Sequence, residues 1–259
     1  MSEIDARATI SPSARLGARV RVGAYAVVGD EVVLGDDCVL DHHAVLRGPS
    51  RLGKRNRLHP FCVVGGDPQD LTYKGESVAL EVGDDNNFRE FSSVNRGTAK
   101  GGGVTRVGSH NLVMSYAHIA HDCAVGDHTV FVNGATLAGH VTVEDYATIG
   151  NFSPVQQFCR IGRYAYIGAH TVITQDVPPF SKIVSPRETR CYGANTIGLE
   201  RHGFAPERIE AIEQAYRLLL RSKLNTTQAI AKMKETLGAH PDVIELIRFI
   251  ETAERGLTK

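Results

Sequence analysis

Aliphatic side chains recur at every sixth position of this chain: Ile10, Leu16, Val22, Val28, Leu34, Leu40, Leu46, Leu52, Leu58 and Val64. After an interruption the same phase returns at Val82, Phe88 and Val94. A second interruption shifts it by one residue, and it then runs unbroken through Val107, Val113, Ile119, Val125, Phe131, Leu137, Val143, Ile149, Val155, Ile161, Ile167 and Ile173. Small residues stand two places before many of them, as at Ala26, Ala44, Ala117 and Ala135, and glycine often follows, as at Gly17, Gly35, Gly126 and Gly162. A period of six is neither the 3.6 of a helix nor the alternation of a hairpin strand; it suits short strands joined by sharp corners. Inward aliphatics would then stack coil on coil at the ~4.8 Å strand spacing, with glycine relieving steric cost at the corners.

Hexad repeats of this kind resemble the left-handed parallel β-helix, in which three hexads make one 18-residue coil of triangular section. Scattered Val and Ile in an α/β protein would not keep phase over 25 positions. A solenoid admits insertions only as loops leaving one face, so the interruptions near 65–81 and 95–106 are expected to be loops, and polar loops of that length often carry function. The run Gly101-Gly102-Gly103 does not make a phosphate cradle, since no helix follows it and no Lys-Ser/Thr completes a P-loop. The repeat is expected to stop near Asp176-Val177-Pro178-Pro179, where two prolines deny the next strand its hydrogen bonds.

A linker with Pro186 and Gly193 then leads to helical patterning. One helix has Pro206 in its first turn and an apolar face of Ile209, Ile212, Tyr216, Leu219 and Leu220. A second follows the cap candidates Asn225 and Thr226 and carries Ile230, Met233 and Leu237. A third follows Pro241-Asp242 with Val243, Ile244, Ile247, Phe249 and Ile250. The fold class is therefore mainly β: a left-handed parallel β-helix over 1–192 and an α-helical C-terminal domain over 193–259.

Composition adds exclusions. Twenty-nine Lys and Arg balance 29 Asp and Glu, so no global field points to nucleic acid or an anionic membrane as the partner. The first residues lack the basic and apolar regions of a signal peptide, and no apolar run approaches the ~20 residues of a membrane span; a cytoplasmic protein without an integral membrane segment is expected. The five cysteines contain no C-x-x-C pair, and Cys38, Cys62, Cys123 and Cys159 share one phase of the repeat, which reads as small core filling rather than redox or zinc chemistry.

Chemistry is concentrated in His118-Ile119-Ala120-His121-Asp122-Cys123. On an 18-residue coil Gly139 stacks over His121, Gln157 over Gly139, and His140 over Asp122. An imidazole is the natural base near neutral pH, and a glycine N–H one strand spacing away is a natural oxyanion donor; together they describe acyl transfer. His42, His43, His59, His110, His128, His170 and His240 lack such clustering and read as surface residues. Two other classes compete. A trimeric zinc hydratase would take His118, His121 and His140 as ligands, and a non-catalytic β-helical scaffold would leave two histidines beside a stacked glycine unexplained.

The strings His118-Ile-Ala-His-Asp-Cys123, Ala135-Thr-Leu-Ala-Gly-His140, Gln157-Phe-Cys159, Gln69-Asp70-Leu71, Asn95-Arg-Gly-Thr98 and Gln175-Asp-Val-Pro-Pro179 closely resemble the acyl-carrier-protein-dependent UDP-N-acetylglucosamine O-acyltransferases of lipid A biosynthesis. The resemblance implies a cytoplasmic homotrimer with active sites in clefts between β-helices. Such an enzyme moves an (R)-3-hydroxyacyl group from acyl carrier protein to the 3-position of UDP-N-acetylglucosamine. It implies His121 as general base, Asp122 as the carboxylate orienting it, and Gly139 as oxyanion donor. Asp70, His118, His140, Gln156 and Gln157 match sugar- and substrate-pocket positions, and Asn195 and Arg201 match residues that hold the nucleotide. No cofactor or metal is expected. The related N-acyltransferase acting later in that pathway would normally carry an extra N-terminal domain, whereas here hexads begin by Ile10.

The chain departs from the family pattern at several points. Gln156 stands where His is usual before Gln-Phe-Cys, and Thr72 where Lys often follows Gln-Asp-Leu, with Lys74 two residues on. Ile197 and His202 replace residues that are commonly Glu and Arg. Ala169 stands where Gly commonly closes the acyl pocket, so its methyl is expected to shorten the preferred chain. Arg201, Arg208, Arg217, Arg221 and Lys223 could form a basic patch for an acidic carrier.

Overall fold

The computed structural model describes residues 1–185, 191, 193–201 and 203–252. The chain divides into two compact units, Met1–Ser185 and Pro186–Lys259. The linker position Pro186 and the departure at His202 lie outside the described residues.

The first unit is a left-handed parallel β-helix built of 26 short strands in three sheets. The ten-stranded first sheet runs from Glu3–Ile4 to Lys182–Ile183. The second, of eight strands, runs from Thr9–Ile10 to Pro154–Val155, and the third, also of eight, from Arg15–Leu16 to Arg160–Ile161. Up to the last pair, consecutive strands belong to different sheets, so each pairs in parallel with the third strand after it: Val27 with Val45, Val45 with Val63, His118 with Thr136. This is the 18-residue stacking of the sequence pattern. It lengthens where the loops leave, and there Val63 pairs with Ser93, and Ser93 with His118. Both loops leave the corner between the second and third sheets, and both are tighter than the hydrophobic pattern suggests. The strands run on to Gly66 and Asn95 and resume at Ala79 and Val104.

The helix is longer than the pattern predicts at each end. Glu3–Ile4 pairs with Arg21–Val22 one hexad before Ile10. At the far end Lys182–Ile183 pairs with Tyr166–Ile167 beyond the two prolines, because Pro178 and Pro179 occupy a corner, where the sheet ladder needs no N–H.

The corners also differ from expectation. The left-handed backbone falls three places after most of the aliphatics and is taken mainly by non-glycine residues such as Tyr25, Phe61, Asp122 and His140, with φ near 60°, a conformation that costs roughly 1–2 kcal/mol per residue. Repetition lets these side chains meet: Tyr25, His43, Phe61, Phe91 and Tyr116 stack ring on ring at 5.0–5.3 Å along one corner. The glycines that follow the aliphatics serve close approach instead. A Cβ at Gly17 would lie 2.7 Å from the amide nitrogen of Asp36 in the next coil.

The interior is one column of stacked side chains, with Leu40, Leu58, Phe88, Phe131 and Ile149 fully buried. Cys38, Cys62, Cys123 and Cys159 lie in it too; burial pushes the Cys62 and Cys123 thiols up to about 12, so neither is a thiolate nucleophile near neutrality. The same slot holds a buried asparagine column. Asn86 donates through its backbone and side-chain nitrogens to Asn56 Oδ1 at 3.0 Å, and the Asn111 amide donates to Asn86 Oδ1 at 2.9 Å.

The second unit contains helices α1 (Thr196–Arg201), α2 (Pro206–Leu220), α3 (Thr226–Leu237) and α4 (Pro241–Glu251). Asn225 caps α3 in a reciprocal box with Gln228, as its residue type suggests. Ala215, Ala229, Met233 and Val243 form the fully buried centre. Two expected core positions on α4 are not core: Ile244 and Phe249 are 51% and 67% exposed, because the apolar run there is wider than the single stripe that packs. Among the described residues no helix is long and apolar enough to cross a membrane.

Candidate active site

His121 and Asp122 follow the strand His118–Ile119 and occupy the corner from which both loops leave in the two preceding coils. Alternation along a strand would turn neighbouring side chains to opposite faces. At this corner Asp122 has φ 61°, and its carboxylate returns to its neighbour, with Oδ2 2.8 Å from His121 Nδ1. With Nδ1–H donated to the carboxylate, Nε2 carries the lone pair. The imidazole is 14% exposed and the carboxylate 1%.

Asp122 is held from the second loop. The Thr98 backbone N–H donates to Oδ1 and its hydroxyl to Oδ2, both at 2.7 Å. The Asp122 amide donates to Thr105 Oγ1 at 2.8 Å. Thr98 caps the 3-10 turn Ala99–Gly101, accepting from the Gly101 amide at 3.1 Å. A Cβ at Gly101 would fall on the Asp122 carboxylate, and Gly102 and Gly103 take left-handed φ of 93° and 83°. The triple glycine therefore lets the loop close over Asp122. Sequence reasoning passed over Thr98, although a cap-type residue ahead of a glycine run was its signal.

One coil on, Gly139 lies against the ring: a Cβ there would be 2.9 Å from His121 Nε2. Corner amides at the equivalent position elsewhere donate to aspartates of the adjoining coil, Ala18 to Asp36 and Ser109 to Asp127. The Gly139 amide has no acceptor among the described residues. His140 Nε2 is 3.5 Å from Asp122 Oδ2, and its ring lies edge-on to His121 at 5.4 Å and stacks on Phe158 at 4.6 Å. His118 Nδ1 hydrogen-bonds Ser93 Oγ at 2.7 Å. Burial, followed by the neighbouring His121, holds its pKa below the usual histidine value.

Asp70 stands on the first loop. Its Oδ1 accepts from the Thr72 amide at 2.7 Å and hydroxyl at 2.8 Å. These bonds hold its carboxyl below the usual range, with His121 and Lys100 adding to the effect. Arg96, almost wholly buried, joins the loops by bonding Asp67 and the Gly48 carbonyl. The structure thus brings His121, Asp122, Gly139 and His140 into contact, with His118 one short strand away and Asp70 within electrostatic reach. Gln156 and Gln157 lie on the same corner beyond Gly139, with exposed side chains. Ala169 lies on a different corner, between the first and second sheets, and a single chain does not bring it to His121. Asn195 and Arg201 belong to the second unit, where Asn195 Oδ1 accepts from the Gly198 amide at 3.2 Å and Arg201 ends α1.

The hydratase reading called for His118, His121 and His140. Among the described residues the group able to offer three ligand atoms within 4.8 Å is instead His121, Asp122 and His140; the Asp122 oxygens in it already accept from Thr98 and His121, and His118 is committed to Ser93. The basic patch is also reduced, since the Arg208 guanidinium forms a bidentate pair with Asp242 at 2.7 and 2.9 Å.

Comparison with known proteins agrees in each part of the chain. Residues 176–258 match the family described as UDP N-acetylglucosamine O-acyltransferase, domain 2, and residues 105–139 match the bacterial transferase hexapeptide repeat. Over the full length of both chains the sequence is 42% identical to the acyl-[acyl-carrier-protein]–UDP-N-acetylglucosamine O-acyltransferase of Thermodesulfovibrio yellowstonii and 45% identical to that of Halorhodospira halophila. The solved structure of LpxA from Acinetobacter baumannii matches with a TM-score of 0.70 at 38% identity, covering 99% of each chain. That of the Francisella novicida UDP-N-acetylglucosamine acyltransferase matches with a TM-score of 0.70 at 36% identity, covering 98% of this chain and 93% of that one.

Proposed function

The chain belongs to the acyl-[acyl-carrier-protein]–UDP-N-acetylglucosamine O-acyltransferase family and is an acyltransferase, and on that premise we propose that it transfers an (R)-3-hydroxyacyl group from acyl carrier protein to the 3-hydroxyl of UDP-N-acetylglucosamine, the first step of lipid A biosynthesis. The observation that carries this reading is the His121 ring, bonded through Nδ1 to a buried carboxylate while Nε2 abuts the backbone of Gly139. Nε2 takes the proton of the sugar hydroxyl as its oxygen attacks the thioester carbonyl. The oxyanion of the tetrahedral intermediate accepts from the Gly139 N–H. Collapse reforms the carbonyl and breaks the C–S bond, and the imidazolium returns the proton to the departing carrier thiolate. Asp122 keeps the ring in the Nδ1–H tautomer and stabilises its cation. Asp70, His118, His140, Gln156 and Gln157 contact the sugar and acyl parts of the substrates, and Asn195 and Arg201 the nucleotide.

The enzyme works as a cytoplasmic homotrimer. Supporting this, the acyl-pocket position Ala169 and the base His121 are on different corners of one β-helix, so a neighbouring copy would complete the pocket. The exposed ring ladder from Tyr25 to Tyr116 offers apolar surface for association. The function is tested by mass spectrometry of products from UDP-N-acetylglucosamine and its 3-amino analogue with a ladder of 3-hydroxyacyl carrier proteins. Acylated UDP-N-acetylglucosamine is expected; preference for the amine would replace the acceptor, and no product from either would refute the reading.

A further inference from the structure

Lys100 is the third loop-borne group beside the candidate base, and none of the roles above uses it. Its side chain leaves the 3-10 turn Ala99–Gly101 and crosses to the other loop, where Nζ donates to Thr72 Oγ1 at 3.0 Å. The Thr72 hydroxyl in turn donates a hydrogen bond to Asp70 Oδ1 at 2.8 Å. The adjoining Gly101 lies against the Asp122 carboxylate, so the turn carrying this cation is the one that seats the orienting carboxylate. Among the described residues Lys100 forms no ion pair, and an ammonium has three donors, so two remain for a ligand. Lys74, the nearer basic residue by sequence, directs its backbone N–H to Glu76 Oε2 at 2.8 Å, and it is Lys100 whose ammonium reaches the Thr72 hydroxyl.

We infer that Lys100 is a specificity-determining residue for the acceptor, delivering from the second loop the positive charge against which the diphosphate of a nucleotide sugar docks. The inference rests on the function proposed above. In such an acceptor the reacting hydroxyl and the diphosphate stand on one sugar ring, so a base that reaches the hydroxyl leaves the diphosphate within a side chain's reach. In the donor, the whole pantetheine arm separates the phosphate from the thioester. Through Thr72 Oγ1 the cation at the tip of the second loop is seated on the first, so a lysine placed at position 72 would carry the same charge to that point.

The test combines binding and kinetics on the full-length protein. UDP-N-acetylglucosamine is titrated calorimetrically into the parent, Lys100→Gln, Lys100→Arg and the double variant Thr72→Lys/Lys100→Gln, and KM for each substrate is measured in parallel. Loss of one charged hydrogen bond should weaken acceptor binding and raise its KM by about tenfold or more, with a shallower salt dependence. The KM for acyl carrier protein should be unchanged, Lys100→Arg should retain most of the affinity, and the double variant should recover it. Acceptor affinity in Lys100→Gln equal to that of a binding-competent parent overturns the inference and leaves the function standing. A rise confined to the carrier KM overturns the assignment to the acceptor. A parent that neither binds nor acylates the nucleotide sugar overturns the function itself, and the inference with it.

Discussion

Asp122 is a nearly sealed carboxylate, a state that costs several kcal/mol unless its oxygens are satisfied, and its satisfaction is divided between the neighbouring His121 and the loop that covers it. Thr98 gives it two hydrogen bonds and His121 a third. Thr98→Val removes the hydroxyl donor to Oδ2 and keeps the backbone one. It should lower kcat by about tenfold to a hundredfold, the usual scale for a group that orients a catalytic side chain, with little change in KM; steady-state kinetics beside a thermal melt check it. The stacking of Gly139 on His121 could be read from sequence because one coil separates them, whereas the Asp122 contact was only implied by the family resemblance, since strand alternation would turn the two neighbouring side chains apart. Thr98 could not, since 24 residues and a loop separate it from Asp122, and a loop carries no period from which register follows. His118 gives a pH prediction. Its folded pKa lies below its ordinary value, so the unfolded chain binds the proton more readily, and stability present above about 6.5 is lost as pH falls through the lower folded value. The urea midpoint should therefore drop between about pH 7.5 and pH 5.5, and drop less in His118→Gln.

Each element of the β-helix is two to four residues long and is stabilised mainly by its neighbours above and below. The asparagine column illustrates the arrangement. Asn86 accepts from the Asn111 amide and donates to both Asn56 Oδ1 and the Gly108 carbonyl. Asn86→Ala would leave those groups buried without partners and open a small cavity, so a loss of about 2–3 kcal/mol is expected in urea unfolding; a loss under about 1 kcal/mol, the net worth of an ordinary hydrogen bond, would show that the column is replaceable. The strands were legible because their period is rigid. The loop bounds were not, since pairing at Ala79–Val82 and Val104–Val107 extends beyond the aliphatic phase. Helix α1 leaves no signal in the sequence, because its six residues bury no side chain and so carry no amphipathic stripe. Glycine is the residue type expected at the corners, yet residues such as Tyr25 and Phe61 take the left-handed conformation there, their rings stacking from coil to coil.

For the whole molecule, the proposed assembly would have a neighbouring copy supply Ala169 and so would tie acyl-chain selection to oligomerisation. For the proposed homotrimer, sedimentation should give about three times the 28.1 kDa chain mass; a mass of one or two chains would contradict it. Ala169→Gly, which removes one methyl from the pocket wall, should move the preferred 3-hydroxyacyl chain to greater length in product profiling; an unchanged profile would detach this residue from chain selection. The balance of charges, uninformative about partners as a total, becomes informative once the loops bring Lys100, Asp70 and His121 to one corner. The measurement that bears most directly on the central claim is single-turnover mass spectrometry of His121→Ala with 3-hydroxyacyl carrier protein and UDP-N-acetylglucosamine, alongside the parent and with its oligomeric mass verified. Loss of the base should slow formation of acylated nucleotide sugar by on the order of 10³-fold in a protein of unchanged assembly. Product forming within about tenfold of the parent rate, less than a general base contributes, would contradict the assignment of His121.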